Sequence, residues 1–324
     1  MDIDYLLFLQ RIREAHGSGF VDFFQFVTDL SIIYMMPILC FVYWSFRKED
    51  GKYALWTVGL CGVLNSLVKM IACVYRPWIR DPAIVPPPEA KAGATGYSFP
   101  SGHTSNATAW LGTLGVRHFR QKSVFLGTFF LIALIAFSRN FLGVHTPQDV
   151  CVGFLLGLSG IALTFFLLGW EKKAPNRDLI LLAGAIAAVA GFLLYISFKS
   201  YPLKYDPEGN LLVDPKIMAH DSWKNSGILL GVVLGWILEK RFLNFAIPSS
   251  SLVRIARFLP GIVIVSLLKD YLRPVLLGAM GTQWGNLLTF FLMFFWVMFL
   301  YPLIFTGIEK CFSKKEKADQ TQPD

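Results

Sequence analysis

Nine apolar stretches, several of them close to the length needed to cross a lipid bilayer, dominate this 324-residue sequence. They lie near 24–46, 53–75, 103–117, 124–138, 148–170, 178–198, 225–239, 252–272 and 286–308. A helix needs about 20 apolar residues to span the hydrocarbon core. With 54% hydrophobic and only 16% charged residues, the composition excludes an ordinary soluble protein. We therefore predict an all-α fold, a polytopic transmembrane helical bundle of about nine spans.

The basic residues explain the net charge of +8 without a nucleic-acid partner. Most of them lie in short segments between the apolar stretches, and no basic stripe alternates with exposed aromatic residues. The five cysteines lie in or beside apolar stretches without metal-ligand spacing, and no acidic cluster offers metal ligands. We therefore expect no nucleic acid, no metal and no other cofactor.

Loop charge predicts which helix ends face the cytoplasm. Five segments rich in Lys and Arg follow alternate stretches, at 47–52, 117–122, 172–177, 240–257 and 310–317. Short loops with this charge are typical of the cytoplasmic side. The polar segments 77–102 and 139–147 then lie on the opposite side. We expect a site formed by them to face away from the cytoplasm.

Composition divides the chain into four parts. Residues 1–23 mix leucine and isoleucine with charged side chains, which predicts an amphipathic helix lying in the membrane interface. Residues 24–170 hold five spans and all the motifs described below. Residues 171–312 hold accessory spans and an outer loop, 199–224. Residues 313–324 are polar and without periodicity, which predicts a disordered cytoplasmic tail.

The first polar motif closes the second apolar stretch. Lys69 and Arg76 are seven residues apart, almost two helical turns, so they are predicted to lie on one helix face. Pro77 would then end the helix and leave both cations near the outer surface. Charges at membrane depth persist mostly for function. Taken alone, however, such a pair is more often explained by side chains that reach up to the interface.

The second motif, Ser98-Phe99-Pro100-Ser101-Gly102-His103, opens the next apolar stretch and so occupies a helix N-terminus. Unpaired backbone amides and the positive end of the helix dipole make that position a natural anion site. Gly102 lets the backbone approach an oxyanion, Ser101 could cap the helix or donate a hydrogen bond, and His103 could supply a proton. The alternative is an ordinary Ser-Gly cap followed by a surface histidine.

The third motif begins with Ser138-Arg139 and continues with His145 and Asp149. Thr146 as N-cap with Pro147 at the first helical position predicts a helix start. Asp149 is four residues after His145, close enough to hold a ring nitrogen and fix the tautomer, as an orienting carboxylate does for a catalytic histidine. The alternative, which is compatible with the first, is that Asp149 caps the helix from its first turn.

Together the three motifs fix eleven residues in order: Lys69, Arg76, Pro77, Pro100, Ser101, Gly102, His103, Ser138, Arg139, His145 and Asp149. This constellation, over about residues 60–165, resembles the type-2 phosphatidic acid phosphatase superfamily of integral membrane lipid phosphatases. Many members have six spans, whereas nine spans with an outer N-terminus resemble the glucose-6-phosphatase branch. The Gly96-Tyr97-Ser98-Phe99 lead-in resembles bacterial lipid phosphatases, which implies a bacterial cytoplasmic membrane.

The resemblance implies a role for each motif residue. Lys69, Arg76, Arg139 and the Ser101–Gly102 turn would bind phosphate. His145 would be the nucleophile that forms a phosphohistidine, Asp149 would orient it, and His103 would protonate the leaving oxygen. Three fixed cations and helix-terminal amides would supply the positive charge that phosphoryl transfer needs. The implied activity is metal-independent hydrolysis of a lipid phosphate or diphosphate, with that lipid and membrane lipids as partners.

Two alternatives compete with hydrolysis. In the first, a second lipid replaces water in the second half-reaction, which makes the protein a lipid phosphotransferase. In the second, the protein is a non-catalytic lipid carrier or transporter with a remnant pocket, although both histidines are present. Outside the motifs, Lys269 and Arg273 lie four residues apart and form either an interfacial pair or a second cationic patch for a head group.

Overall fold

The computed structural model describes the backbone of residues 1–319 and the side chains of residues 1–311. Within them the regular secondary structure is helical, apart from one isolated bridge between Tyr205 and Leu211, and irregular segments connect the helices. The helices are α1 (Asp2–His16), α2 (Ser18–Asp29), α3 (Met35–Phe41), α4 (Lys48–Ala72), α5 (Pro77–Arg80), α6 (Pro88–Ala92), α7 (Gly102–Ala107), α8 (Thr113–Arg117), α9 (Lys122–Phe141), α10 (Pro147–Glu171), α11 (Arg177–Phe198), α12 (Pro215–Leu238), α13 (Ser251–Leu267), α14 (Arg273–Phe295) and α15 (Tyr301–Asp319). Five short π-helical segments join or extend them: Val42–Phe46, Thr108–Gly112, Glu239–Leu243, Leu268–Leu272 and Trp296–Leu300.

Five helical stretches of the described chain are long and apolar enough to cross a membrane. They are Lys48–Arg80, Lys122–Phe141, Pro147–Glu171, Arg177–Phe198 and Ser251–Cys311. The last is 61 residues long and contains α13, α14 and the start of α15. The all-α membrane bundle predicted from the sequence is confirmed, and the count of nine spans stays a prediction.

Three boundaries differ from those expected from composition. The N-terminal segment forms two helices, which part at Gly17 with φ +75°. The helix α12 begins at Pro215, inside the segment 199–224 that composition assigned to an outer loop. The last helix continues to Asp319, past residue 313, where the predicted disordered tail begins; residues 320–324 of that tail lie outside the described residues.

The helix α1 is tied to the bundle by a buried arginine. Arg13 donates from Nη1 to the carbonyl oxygen of Phe141 at 2.7 Å and from Nη2 to that of Val85 at 2.5 Å. Its side chain is buried although it lies in a helix expected to rest in the interface. The contact joins α1 both to the end of α9 and to the proline-rich segment that follows α5.

Glycines let α10 approach its neighbours closely. An added Cβ at Gly153 would lie 2.7 Å from the carbonyl oxygen of Ser101, and one at Gly157 would lie 2.3 Å from Thr108 Cβ. Both distances are shorter than real contacts of this kind, so only glycine fits without displacement. Small residues are a common means of close helix packing in membrane proteins. Here they bring the beginning of α10 against the turn that opens α7.

We predict that Gly153→Ala destabilises the protein by about 1–3 kcal/mol, because the new methyl group overpacks against the Ser101 carbonyl. Gly169→Ala is the matched control, since Gly169 lies in the same helix with nothing within 4 Å of an added Cβ. That variant should be neutral or more stable by up to about 1 kcal/mol, because alanine favours helix. Thermal unfolding in detergent measures both, and equal melting temperatures for the two variants would contradict the packing described.

Candidate active site

Four helix ends meet at one end of the bundle and bring the predicted site residues together. The C-terminal ends of α4 and α9 supply Lys69 and Arg139. The N-terminal end of α7 supplies the second motif, and that of α10 supplies His145 and Asp149. A cavity of about 310 Å³ opens between them, and its lining includes Lys69, Arg76, Gly102, His103 and His145. Three motifs that are far apart in the sequence therefore share one site.

The ring of His145 is held between a carboxylate and a guanidinium. Its Nδ1 lies 3.2 Å from Asp149 Oδ2, and its Nε2 lies 2.9 Å from Arg76 Nη1. Because a guanidinium only donates, Nε2 must accept, and the ring proton is then on Nδ1, where the carboxylate accepts it. Both side chains of the His145–Asp149 pair are at most 3% exposed. In this tautomer the lone pair is on Nε2, as a nucleophile requires, and in this structure it accepts from Arg76.

Asp149 also begins the helix that carries it. Its Oδ2 accepts from the backbone amide of Thr146 at 2.9 Å, and Thr146 Oγ1 accepts from the amide of Asp149 at 3.4 Å. This reciprocal pair is a capping box at the start of α10. The two explanations that the sequence left open for Asp149 therefore hold together, because one carboxylate oxygen both caps the helix and faces the imidazole.

Ser98 is a site residue that sequence reasoning did not assign. Its hydroxyl donates to Asp149 Oδ2 and lies 3.4 Å from His145 Nδ1, and its side chain is buried. The serine belongs to the second motif, but it contacts a residue 51 positions further along the chain. No local spacing signals that contact. The only available signal was the position of Ser98 at the start of the polar turn.

The prediction that Lys69 and Arg76 share one helix face is wrong. The helix α4 ends at Ala72, and Cys73 adopts a left-handed conformation with φ +48°. Arg76 lies beyond the helix in an extended conformation, and Pro77 begins α5 instead of ending α4. A proline at the first helical position is favourable because its missing amide would have no intrahelical partner there. The two cations nevertheless reach the same cavity.

Both cations hold the segment that leads into α7. Lys69 Nζ donates to the carbonyl oxygens of Tyr97, Ser98 and Pro100 at 2.9, 3.3 and 3.0 Å. Arg76 donates at 3.0 Å to those of Gly96 and Thr95, and also to that of Val144 beside His145. Consecutive carbonyls that face two cations fix the loop in one position. The snorkelling explanation therefore does not describe these side chains.

Arg139 is the least satisfied charge in the site. It lies in the last turn of α9 and is 1% exposed. Its Nη1 donates to Thr28 Oγ1 at 2.9 Å, while Nε and Nη2 have no partner among the described residues. Those two nitrogens form the side edge of the guanidinium, which binds the oxygens of a carboxylate or a phosphate in pairs. A buried charged donor without an acceptor is costly, so this edge is suited to an anion.

The turn before α7 combines a cap with open space. Ser101 Oγ accepts from Thr104 N at 3.4 Å and from Thr104 Oγ1 at 3.0 Å, and its own amide donates to the carbonyl of Asp149 at 2.9 Å. An added Cβ at Gly102 would meet only Asn65 Oδ1, at 3.8 Å. The first amides of the helix point out of its N-terminus beside His103. The cap expected from the sequence is present, and a direct bond from Ser101 to phosphate stays a prediction.

The far wall of the cavity comes from α12, which the sequence did not place at the site. Its lining residues there are Met218, Asp221, Ser222, Lys224 and Asn225. Lys269 and Arg273 are not among the residues that line the cavity, and Arg273 Nε donates instead to Asn286 Oδ1 at 3.0 Å. The three motifs thus share the cavity with a polar face of α12 and not with the later cationic pair.

Two models of known protein families match the parts of the chain that form this site. Residues 50–174 match a model described as PAP2 superfamily, and residues 223–313 match one described as PAP2 superfamily phosphatase, transmembrane extension. The chain carries a PAP2 superfamily domain and the transmembrane extension of PAP2 phosphatases. All eight site residues predicted from the sequence lie within the first match, which confirms the resemblance. The PAP2 extension covers most of α12 and the helices after it.

Three relatives of this PAP2 protein are similar over part of its length. Lipid phosphate phosphatase delta of Arabidopsis thaliana is 24% identical over 69% of this chain and 54% of its own. Lipid A 4'-phosphatase of Porphyromonas gingivalis is 28% identical over 49% of this chain and 70% of its own. Phosphatidylglycerophosphatase B of Bacillus subtilis is 29% identical over 43% of this chain and 69% of its own. The chain spans about half the length of the plant relative. No solved structure matches it significantly.

We predict that inorganic phosphate raises the melting temperature of the wild-type protein and that Arg139→Gln loses this effect. A ligand that binds only the folded state stabilises it by mass action, and the unpaired edge of Arg139 is the proposed contact. Without phosphate the variant should melt no lower than wild type, because a buried charge with unpaired donors has been removed.

Arg117→Gln is the matched control for that experiment. Arg117 also carries a partly buried guanidinium, but it pairs with Asp50 at 2.5 Å, at the opposite end of α4 from Lys69. This variant should keep the full phosphate-dependent shift, whatever its own stability. The same shift in Arg139→Gln and in wild type would remove Arg139 from the anion site.

Proposed function

We propose that this protein is an integral membrane phosphatase that hydrolyses a lipid phosphate or diphosphate through a phosphohistidine on His145. The observation that carries the proposal is the fixed tautomer of His145, with Nδ1 on Asp149 and Nε2 on Arg76. The backbone of Arg139, whose guanidinium is partly unpaired, lies beside His145, because the Arg139 carbonyl accepts from the amide of His145 at 3.3 Å. The names of the three relatives, all phosphatases of lipids, support the same class of substrate.

In the first half-reaction, Nε2 of His145 attacks phosphorus while the bond from phosphorus to the lipid oxygen breaks. The phosphoryl oxygens take the hydrogen bonds of Arg139 and the first amides of α7, and Arg76 turns from Nε2 to an oxygen as the nitrogen becomes bonded. Asp149 stabilises the positive charge that develops on the ring. His103, which also lines the cavity, gives its proton to the leaving oxygen, so a neutral alcohol departs.

In the second half-reaction a water molecule attacks the phosphohistidine. His103 now takes a proton from that water, the bond between phosphorus and Nε2 breaks, and inorganic phosphate leaves. The cations and amides supply the charge that phosphoryl transfer needs. In the described part of the chain, no group of three or more His, Cys, Asp or Glu side chains is arranged to hold a metal ion. We therefore include metal independence in the proposal.

The proposed site faces away from the cytoplasm. The end of the bundle opposite to it carries a dense set of basic side chains, including Lys48, Lys52, Lys172 and Lys240 around one charged pocket. Short basic loops favour the cytoplasmic side. A site at the other end, between helices, would let the phosphate reach the cations while the lipid tail stays in the bilayer.

We predict that phosphate release from phosphatidate in detergent micelles survives a strong chelator and falls with orthovanadate. Vanadate imitates the pentacoordinate phosphoryl group that the cations would stabilise. The measurement is inorganic phosphate released by purified protein with EDTA, with EDTA followed by Mg²⁺, and with vanadate. Loss of turnover with EDTA and its return with Mg²⁺ would show that the mechanism above lacks an essential metal.

We predict that the two histidines fail differently. His145→Ala should form no trappable phosphoenzyme, because the bond to phosphorus cannot form. His103→Ala should slow phosphoenzyme formation by roughly 10²- to 10⁴-fold, the usual contribution of a general acid. The loss should be smallest with a substrate whose leaving group needs no proton. Rapid quenching with a ³²P-labelled lipid at alkaline pH, where phosphohistidine survives, measures both.

His118→Ala is the matched control for the histidine variants. His118 lies beyond α8, and its Nε2 is 2.6 Å from Asp50 near the opposite end of α4. Its loss should leave the rate of phosphoenzyme formation unchanged. A phosphohistidine that still formed in His145→Ala would assign the nucleophile to another residue.

A further inference from the structure

We propose that the α12 wall of the cavity, defined by Asp221, Ser222, Lys224 and Asn225, is a head-group subsite for a neutral hydroxylated group. The substrate would then carry its phosphate on a polyol or a sugar that is itself attached to the lipid. This inference rests on the proposed phosphatase function and deepens it. A subsite of this kind would disfavour two other kinds of substrate, a lipid with its phosphate directly on diacylglycerol and a lipid diphosphate.

The wall is fixed to the catalytic half of the cavity. Asn225 Nδ2 donates to Ser66 Oγ at 2.8 Å and to the carbonyl of Gly62 at 3.2 Å, both on α4. An added Cβ at Gly62 would lie 3.1 Å from Asn225, so the two helices touch closely at this point. Lys69 lies one turn further along α4 than Ser66. The α12 side chains therefore lie at a set position across the cavity from the two histidines.

Ser222 is the strongest indication of a ligand on this wall. Its side chain is 1% exposed, it lines the cavity, and its hydroxyl has no partner among the described residues. Buried hydroxyls inside helices usually bond the carbonyl four residues earlier. Five threonines of this bundle do so: Thr57, Thr108, Thr113, Thr164 and Thr289. A buried hydroxyl left unpaired is unfavourable, so an oxygen of a bound group is the partner that we infer.

The charges of the wall favour a neutral group. Lys224 Nζ lies 3.0 Å from Asp221 Oδ1, so the two charges largely cancel. The Asp221 carboxylate still accepts hydrogen bonds from hydroxyl groups, whereas the neutralised pair offers no net positive charge to attract a second phosphate. The remaining lining is mostly uncharged and able to hydrogen-bond, with Asn65, Ser66 and Asn106 beside the α12 residues. Acyl chains gain nothing from such a surface, whereas glycerol or sugar hydroxyls can bond to it.

The test compares three substrates that share one micelle composition. They are phosphatidylglycerophosphate, in which a glycerol carries the phosphate, phosphatidate, in which no hydroxyl lies beside it, and a polyprenyl diphosphate. Wild type should show the highest kcat/KM with phosphatidylglycerophosphate. Ser222→Ala should lower the ratio of kcat/KM for phosphatidylglycerophosphate over phosphatidate by about 2- to 12-fold, the value of one hydrogen bond.

Ser226→Ala is the matched control. Ser226 lies one helical turn further along α12, is buried and also has an unpaired hydroxyl, but it does not line the cavity. Its loss should leave the substrate ratio unchanged. An equal ratio in wild type and Ser222→Ala, or a wild-type preference for phosphatidate or the diphosphate, would overturn the subsite while phosphate release itself still supported a phosphatase. No release from any of the three lipids would overturn the proposed function.

A binding measurement gives a second readout that needs no turnover. Glycerol 3-phosphate should raise the melting temperature of the wild-type protein more than inorganic phosphate does at equal concentration. In Ser222→Ala the melting-temperature increases with glycerol 3-phosphate and with inorganic phosphate should become more similar. In Ser226→Ala the two increases should differ as they do in wild type. Equal shifts with the two ligands in wild type would count against a hydroxyl-binding wall.

Discussion

The geometry of the site depends on the hydrogen bonds that the guanidinium of Arg76 donates. It donates to the carbonyls of Thr95 and Gly96 before α7, to Val144 before α10, and to the ring of His145. One side chain therefore joins the segment between α4 and α5 to both helix N-termini and also sets the tautomer of His145. Because a guanidinium stays charged and never accepts, the direction of each of these bonds is fixed. Lys69 donates hydrogen bonds to three further carbonyls of the segment before α7.

The sequence predicted the parts of the site that depend on local chemistry. Thr146 with Pro147 correctly marked the start of α10, and Ser101 correctly marked the cap of α7. It did not predict the end of α4, because the left-handed turn at Cys73 occurs at a residue with no special preference for that conformation. The bond from Ser98 to Asp149 also escaped prediction, since it joins distant positions and leaves no periodic pattern.

The position of α12 shows a different limit of sequence reasoning. Its first ten residues include Lys216, His220, Asp221 and Lys224, so hydropathy assigned them to a loop. In the structure they are helical, because part of this polar face lines a cavity instead of lipid. A polar helix face is more stable where it borders such a cavity than where it borders lipid. Its partner there is formed by other helices, so no window of the sequence contains the information needed to place it.

The double use of Asp149 has a consequence for how substrate preference could change. One carboxylate oxygen both caps the start of α10 and faces the ring of His145, so the orientation of that ring is tied to the helix axis. Re-aiming the ring would mean unwinding the first turn of a membrane helix. The α12 wall is not constrained in this way, because its residues form no hydrogen bond with His103 or His145. Under the proposed function, substitutions in the α12 wall would alter which molecule is accepted while His145 and Asp149 keep their arrangement, so the two properties would be encoded in separate stretches of the chain.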